Sequence, residues 1–193
     1  FESGNFASWS GTDGSPTVVS SPVHSGSYAL QCDASGEVVY RTGISGYSTV
    51  YARFYARINT LPGNGQSVKI AKAMTTGLVA IWELYFMRNS NTGALQIRLK
   101  SSVPSTLDQT VAYSYAVNTW YSFEVKYYQS SGAGEYRVWL NGVEILSRTG
   151  VNTSSRTFGR LDVGSQWSNY AVKTNIDCVV IDQTYIGPEA IDP

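Results

Sequence analysis

The chain has 193 residues, a formal net charge of zero and 15% charged side chains, a balance with no bias toward nucleic acid or an anionic membrane surface. No apolar run approaches the ~20 residues that span a bilayer. No signal peptide is read in the chain, and its opening at Phe1 points to a mature or excised segment of something longer. The 18 Gly, 14 Tyr and 5 Trp suit strands joined by tight turns, and a chain of this length is expected to build one domain, 1–193, with an ample core.

Hydropathy alternation predicts strands at Thr17–Ser20, Tyr28–Asp33, Val38–Thr42, Ser48–Asn59, Gln66–Met74, Val79–Arg88 and Ala94–Lys100. Further strands are expected at Thr110–Tyr115, Trp120–Tyr128, Tyr136–Leu140, Val143–Ser147, Arg160–Val163 and Asn175–Ile186, ahead of a short acidic, Pro-containing tail at Gly187–Pro193. Turn residues separate them at Leu61–Gln66, Asn89–Gly93 and Ser130–Gly134, and Asn141-Gly142 is a two-residue hairpin turn. No helical i, i+3, i+4, i+7 pattern lasts three turns. The fold class expected is therefore all-β, an antiparallel two-sheet β-sandwich or jelly roll.

The clearest alternation lies in Ser48–Asn59, where Val50, Ala52, Phe54, Ala56 and Ile58 share one face and Tyr51, Arg53, Tyr55 and Arg57 the other. Flat rings with polar tips beside planar guanidinium groups can hold a sugar by stacking and hydrogen bonding. The same parity turns Glu83 and Tyr85, then Gln96, Arg98 and Lys100, then Trp120, Glu124, Lys126 and Tyr128, and finally Arg137 and Trp139 outward. Sequence does not say which strands share a sheet. An ordinary solvated strand surface is the alternative for any one of these ladders.

The order of segments resembles the concanavalin A-like, laminin-G-like jelly roll. The resemblance rests on Trp120-Tyr121 entering a strand, on the hairpin ending in Trp139-Leu140-Asn141-Gly142-Val143, and on the closing strand Asn175–Ile186. The opening Phe1-Glu2-Ser3-Gly4-Asn5-Phe6 with Trp9, and the stretch Val23–Gln31, are similar to jelly-roll carbohydrate-binding modules and related polysaccharide lyases. Such a resemblance implies an extracellular or cell-surface domain whose partner is a polysaccharide, attached to other domains of a larger parent, with no nucleic-acid or membrane partner. The fold hosts lectins, glycanases, lyases and adhesion domains, so it does not settle the activity.

A lyase needs a uronate neutraliser and a base, here Arg53, Arg98, Lys126 or Arg137 with Tyr51 or Tyr55. The Gln-Ile-His string of alginate-lyase-like relatives is absent, and Gln96-Ile97-Arg98 stands nearest to it. The paired carboxylates of retaining glycosidases, Glu-x-Asp-x-x-Glu in the resembled β-glucanases, are missing too, and Glu83 and Glu124 read as partners of neighbouring Arg or Lys. His24, the chain's one histidine, sits in a turn, where a surface role and a catalytic base are the two alternatives.

The resemblance also implies a structural Ca²⁺ held by Glu2 and Asp177, although Cys178 replaces the second Asp of the closing-strand pattern. Parity turns Cys32 and Cys178 inward, either as buried free thiols or, as the resembled fold implies by placing their strands side by side, as a disulfide. The expected function is a non-catalytic carbohydrate-binding module using Tyr51, Arg53, Tyr55, Glu83, Tyr85, Arg98, Trp139 and Trp167. A polysaccharide lyase with Tyr as base and Arg as neutraliser is one alternative, and an adhesion or surface-assembly domain is the other.

Overall fold

The computed structural model describes residues 1–101 and 107–190, which form strands and no helix. The strands are β1 (Gly11–Asp13), β2 (Thr17–Val19), β3 (Ala29–Cys32), β4 (Glu37–Thr42), β5 (Thr49–Ile58), β6 (Ser67–Met74) and β7 (Ala80–Arg88). They continue as β8 (Leu95–Ser101), β9 (Leu107–Ala112), β10 (Tyr121–Tyr128), β11 (Gly134–Leu140), β12 (Val143–Val151), β13 (Arg160–Ser168) and β14 (Thr174–Asp182). Residues 191–193 of the expected tail lie outside the described residues. No helix among the described residues is long and apolar enough to cross a membrane.

Two seven-stranded sheets pack face to face, one ordered β1-β4-β13-β6-β7-β8-β9 and the other β12-β11-β10-β5-β14-β3-β2. We call them the β6 sheet and the β5 sheet after their central strands. Neighbouring strands run antiparallel throughout, as between β6 and β7 and between β5 and β10. This is the sandwich that the alternation implied. Strand β1 escaped the sequence reading because three residues at a sheet edge, Gly11-Thr12-Asp13, carry no hydropathy period. Asn141 (φ 50°) and Gly142 (φ 79°) adopt the left-handed conformation that a tight hairpin needs.

The inward parity of the long strands meets in the middle. Phe54 of β5 stacks on Phe123 of β10 at 5.8 Å between ring centroids, and Phe86 of β7 meets Phe123 edge to face at 5.4 Å. That contact joins the two sheets, and Trp82, Leu84, Ile97 and Val125 fill the layer around it. Edge-to-face rings contribute beyond simple area burial.

Two irregularities break the period-two alternation. In β13 the register slips between Val163 and Trp167, next to Gly164 at φ 137°, where a Cβ would meet the Glu37 carbonyl oxygen at 2.5 Å. In β14 it slips between Asp177 and Val180, and Cys178 takes φ 49°. A bulge adds a residue and so reverses the parity beyond it. Cys178 therefore faces outward instead of into the core, while Cys32 is fully buried, and both are free thiols. The strands do neighbour each other, Cys32 lying opposite Thr174, yet the bulge turns the second sulfur away and there is no disulfide.

Because Phe123 touches both sheets, Phe123→Ala is expected to lower stability by about 3–5 kcal/mol, measured by chemical denaturation. A loss under 1 kcal/mol, on the same scale, would contradict this packing.

Candidate functional site

The eight residues expected to form one sugar surface lie on opposite outer faces of the sandwich. Tyr51, Arg53, Tyr55 and Trp139 belong to β5 and β11 of one sheet, whereas Glu83, Tyr85, Arg98 and Trp167 belong to β7, β8 and β13 of the other. Period-two alternation separates in from out within a strand and carries no information about which sheet the strand joins.

On the β5 sheet the outer face is occupied by the chain itself. After β14 the backbone crosses back over the sheet, and the Glu124 carboxylate accepts the N–H groups of Ile186 and Gly187, both at 2.8 Å. Glu124 is 2% exposed, and burial pushes its pKa up despite those two amides and Arg53. Its partner is thus the main chain rather than the neighbouring Lys or Arg expected from sequence. Tyr185 packs against Trp139 at 5.1 Å and Tyr51 at 6.3 Å. Further along, the Glu189 N–H donates to the Tyr55 hydroxyl at 2.8 Å and the Arg53 guanidinium meets the Glu189 carboxylate at 3.1 Å. Arg53 and Tyr55 are therefore buried, 5% and 6% exposed, and their ladder holds the tail.

The corner beside this tail contains the residues expected to bind Ca²⁺. Glu2 accepts the Ser27 N–H at 2.7 Å and the Tyr28 N–H at 3.4 Å. Asp177 accepts the His24 and Ser25 N–H groups through Oδ2 and that of Cys178 through Oδ1. All four oxygens accept main-chain N–H groups, so the two carboxylates tie the chain's opening and β14 to the turn at 23–28. Gly26 takes φ 69°, which favours glycine, and a Cβ there would displace the Glu2 carboxylate, whose Oε2 lies 2.4 Å from that position. A cleft of about 520 Å³ opens at this corner, lined by Phe1, Trp9, Arg53, Asp177, Cys178 and Glu189 among others.

Chemistry-bearing side chains cross the β6 sheet in two rows. Register places Tyr40, Asp162, Lys72, Glu83, Lys100 and Asp108 side by side on six successive strands. From Asp162 onward the charge alternates sign at every strand, which places opposite charges at cross-strand distance throughout. The adjacent row runs Trp167, Lys69, Tyr85, Arg98 and Thr110. Trp167 is 45% exposed. Two inter-strand spacings, roughly 9.5 Å, separate Trp167 from Tyr85.

Diagonal bonds tie these rows together. Lys69 pairs with Glu83, the Tyr85 hydroxyl donates to the other Glu83 oxygen at 2.8 Å, and Arg98 forks onto Asp108. Burial alone would raise the Glu83 pKa, yet the bonds from Lys69 and Tyr85 outweigh it and hold the carboxyl below its usual range. Burial and Glu83 together push the Tyr85 phenol well above its ordinary value. At the far end Arg160 lies 3.7 Å over the Tyr40 ring and pairs with Asp162 and Asp13. Gln96 Oε1, a buried acceptor on the face of Arg98, has no hydrogen-bond partner among the described residues. Lys72 and Asp162 were not singled out from sequence. Their signal was the strand pairing, which no single sequence displays.

The fold is a two-sheet antiparallel jelly roll with a charged sheet face, and its family makes it a carbohydrate-related domain. The chain belongs to the polysaccharide lyase family, whose model matches residues 1–168. Among solved structures it is similar to the cellulose induced protein Cip1, with 16% identity and a TM-score of 0.64, covering 91% of this chain and 88% of that one. The binding domain of botulinum neurotoxin serotype D/C is similar at 15% identity and a TM-score of 0.62, covering 91% of this chain. The botulinum neurotoxin type G receptor-binding domain follows at 10% identity and a TM-score of 0.55, covering 89%. This chain spans 44% and 41% of those two domains, and at such identities the likeness is one of fold. No curated protein matches the chain.

Two outcomes test this geometry. In Lys69→Met, burial of Glu83 remains while its cation is gone, so the Glu83 pKa should move upward in a carboxyl NMR titration. In the parent, Glu83 is depressed, so its stabilising contribution is present above the unfolded carboxylate pKa. That contribution is lost as pH falls through the lowered folded value. Glu124→Gln leaves one acceptor oxygen where two amides converge, and the Ile186 and Gly187 amides should exchange about tenfold faster or more in hydrogen-exchange measurements.

Proposed function

We propose that the protein is a non-catalytic polysaccharide-binding domain, extracellular or at a cell surface, and that the outer face of the β6 sheet holds the sugar. The supporting observation is the row in which Trp167 and Tyr85 flank Lys69, beside a charge-alternating row. Trp167, 45% exposed, offers a face that can stack on a sugar ring, while Tyr85 is 7% exposed with Lys69 and Arg98 over its ring and supports that row. Glu83, Arg98, Lys100 and Lys72 surround these residues with donors and acceptors for hydroxyls. On this face Lys72 and Lys100 are in no direct ion pair with described residues, so they are the cations available to a glycan carboxylate.

Family membership favours a second reading, β-elimination on a uronate glycan. Against it stands the proton inventory of the face. An eliminating base must accept a proton near neutral pH, whereas the Tyr85 phenol is pushed up and donates to Glu83. The chain's one histidine stacks on Tyr55, on the other side of the sandwich. Arg98 is committed to Asp108 and Lys69 to Glu83.

Affinity electrophoresis on immobilised polysaccharides checks this reading. Trp167→Ala should weaken retention about tenfold, while Tyr51→Ala leaves it unchanged. Incubation with glucuronan, alginate or a glycosaminoglycan should produce no ultraviolet absorbance from unsaturated uronate. Product formation that Tyr85→Phe abolishes would establish the lyase instead.

A further inference from the structure

The corner where the tail meets the β5 sheet brings together a nitrogen, a sulfur and an oxygen donor from three separate segments. His24 comes from the turn before β3, Cys178 from the β14 bulge and Glu189 from the tail, and their ligand atoms all lie within 4.8 Å of one another. His24 Nδ1 stands 3.4 Å from Glu189 Oε2 and 3.6 Å from Cys178 Sγ. A tetrahedral Zn²⁺ with Zn–N and Zn–O near 2.0–2.1 Å and Zn–S near 2.3 Å separates its nitrogen and oxygen ligands by about 3.3 Å and its nitrogen and sulfur ligands by about 3.6 Å. The two observed separations match these edges of the coordination tetrahedron.

Each donor is held in place by contacts of its own. The His24 ring stacks on Tyr55 at 3.6 Å and meets Trp120 edge to face at 5.9 Å. Cys178 is turned outward by its left-handed backbone in the bulge. Glu189 is fixed by its N–H on Tyr55 and its other carboxylate oxygen on Arg53. Second contacts of this kind orient ligands and sharpen metal affinity.

We infer that His24, Cys178 and Glu189 form a binding site for a borderline-soft divalent transition metal such as Zn²⁺, with the fourth position open to the adjacent cleft. The cleft is lined by Cys178 and Glu189, so a water or ligand atom has access from that side. One imidazole, one thiolate and one carboxylate select against Ca²⁺, which takes oxygen ligands. The ion ties the turn, the bulge and the tail together, and so clamps the tail on the β5 sheet. The site is independent of the sugar face, which lies on the opposite sheet.

The test uses the reduced, chelator-stripped protein. Titration with Co²⁺ should give a thiolate-to-cobalt charge-transfer band that saturates at one equivalent, and Zn²⁺ should bleach it at one equivalent. Cys178→Ser should lose the band, and His24→Gln and Glu189→Gln should each bind Zn²⁺ at least about tenfold more weakly. Cys32→Ala should keep the band, because that thiol lies in the core. Zn²⁺ should also raise the unfolding temperature of the parent protein, as a ligand of the folded state must. The inference is overturned if the folded parent gives no charge-transfer band, if Cys178→Ser or His24→Gln binds Zn²⁺ as tightly as the parent, or if Cys32→Ala loses the band. Selective uptake of Ca²⁺ over Zn²⁺ would overturn it equally.

Discussion

The rest of the structure depends on one carboxylate. Glu124 sits on the outer face of the β5 sheet, almost without solvent, and accepts two consecutive main-chain N–H groups from the tail. A buried carboxylate is tolerable only when its oxygens are bonded, and the two amides provide that. In return the tail acquires a fixed path across the sheet, which brings Tyr185 onto Tyr51 and Trp139 and Glu189 onto Arg53 and Tyr55. The face with the cleanest sequence alternation is thereby committed to the molecule's own chain.

That commitment divides the sandwich into two chemically different outer surfaces. Where the tail lies, Glu124 and Tyr55 bond main-chain N–H groups, Arg53 meets the Glu189 carboxylate, and the Tyr185 ring packs against Tyr51 and Trp139. Across the β6 sheet, Lys69, Arg98 and Arg160 pair with carboxylates, Lys72 and Lys100 form no ion pair with described residues, and the Trp167 ring remains exposed. Pairing stiffens part of this face, since Lys69 and Arg98 are each held by a carboxylate on the next strand. A stiff polar surface with rings suits recognition, because little ordering cost remains on binding. The same pairing removes free guanidinium groups and lifts the Tyr85 phenol, which is the opposite of what proton abstraction requires.

Much of the fold was legible from residue order because strand parity, turn chemistry and the Asn141-Gly142 hairpin are local properties. Phe54, Trp82, Phe86 and Phe123 were placed inward by parity, and they are buried. The site was less legible because its geometry depends on pairing between distant strands and on two bulges. Trp167 reaches the β6 face through the irregularity beside Gly164, and Cys178 leaves the core through the slip after Asp177. A period-two rule has no means of registering an inserted residue. Glu189 was unreadable for a different reason, since a short acidic tail carries no periodicity and acquires its role only once Glu124 and Tyr55 have fixed its course.

The central claim is that the β6 sheet offers its outer face to a sugar while the β5 sheet is sealed by the tail. Amide and indole NMR shifts, followed during titration with a polysaccharide that retains the protein, test it most directly. The account predicts that the largest changes fall on Trp167, Tyr85, Arg98 and their strand neighbours, with Ile186, Gly187 and the Trp139 indole unmoved. Shifts concentrated on Tyr51, Trp139 and the tail, with β7 and β8 silent, would contradict it.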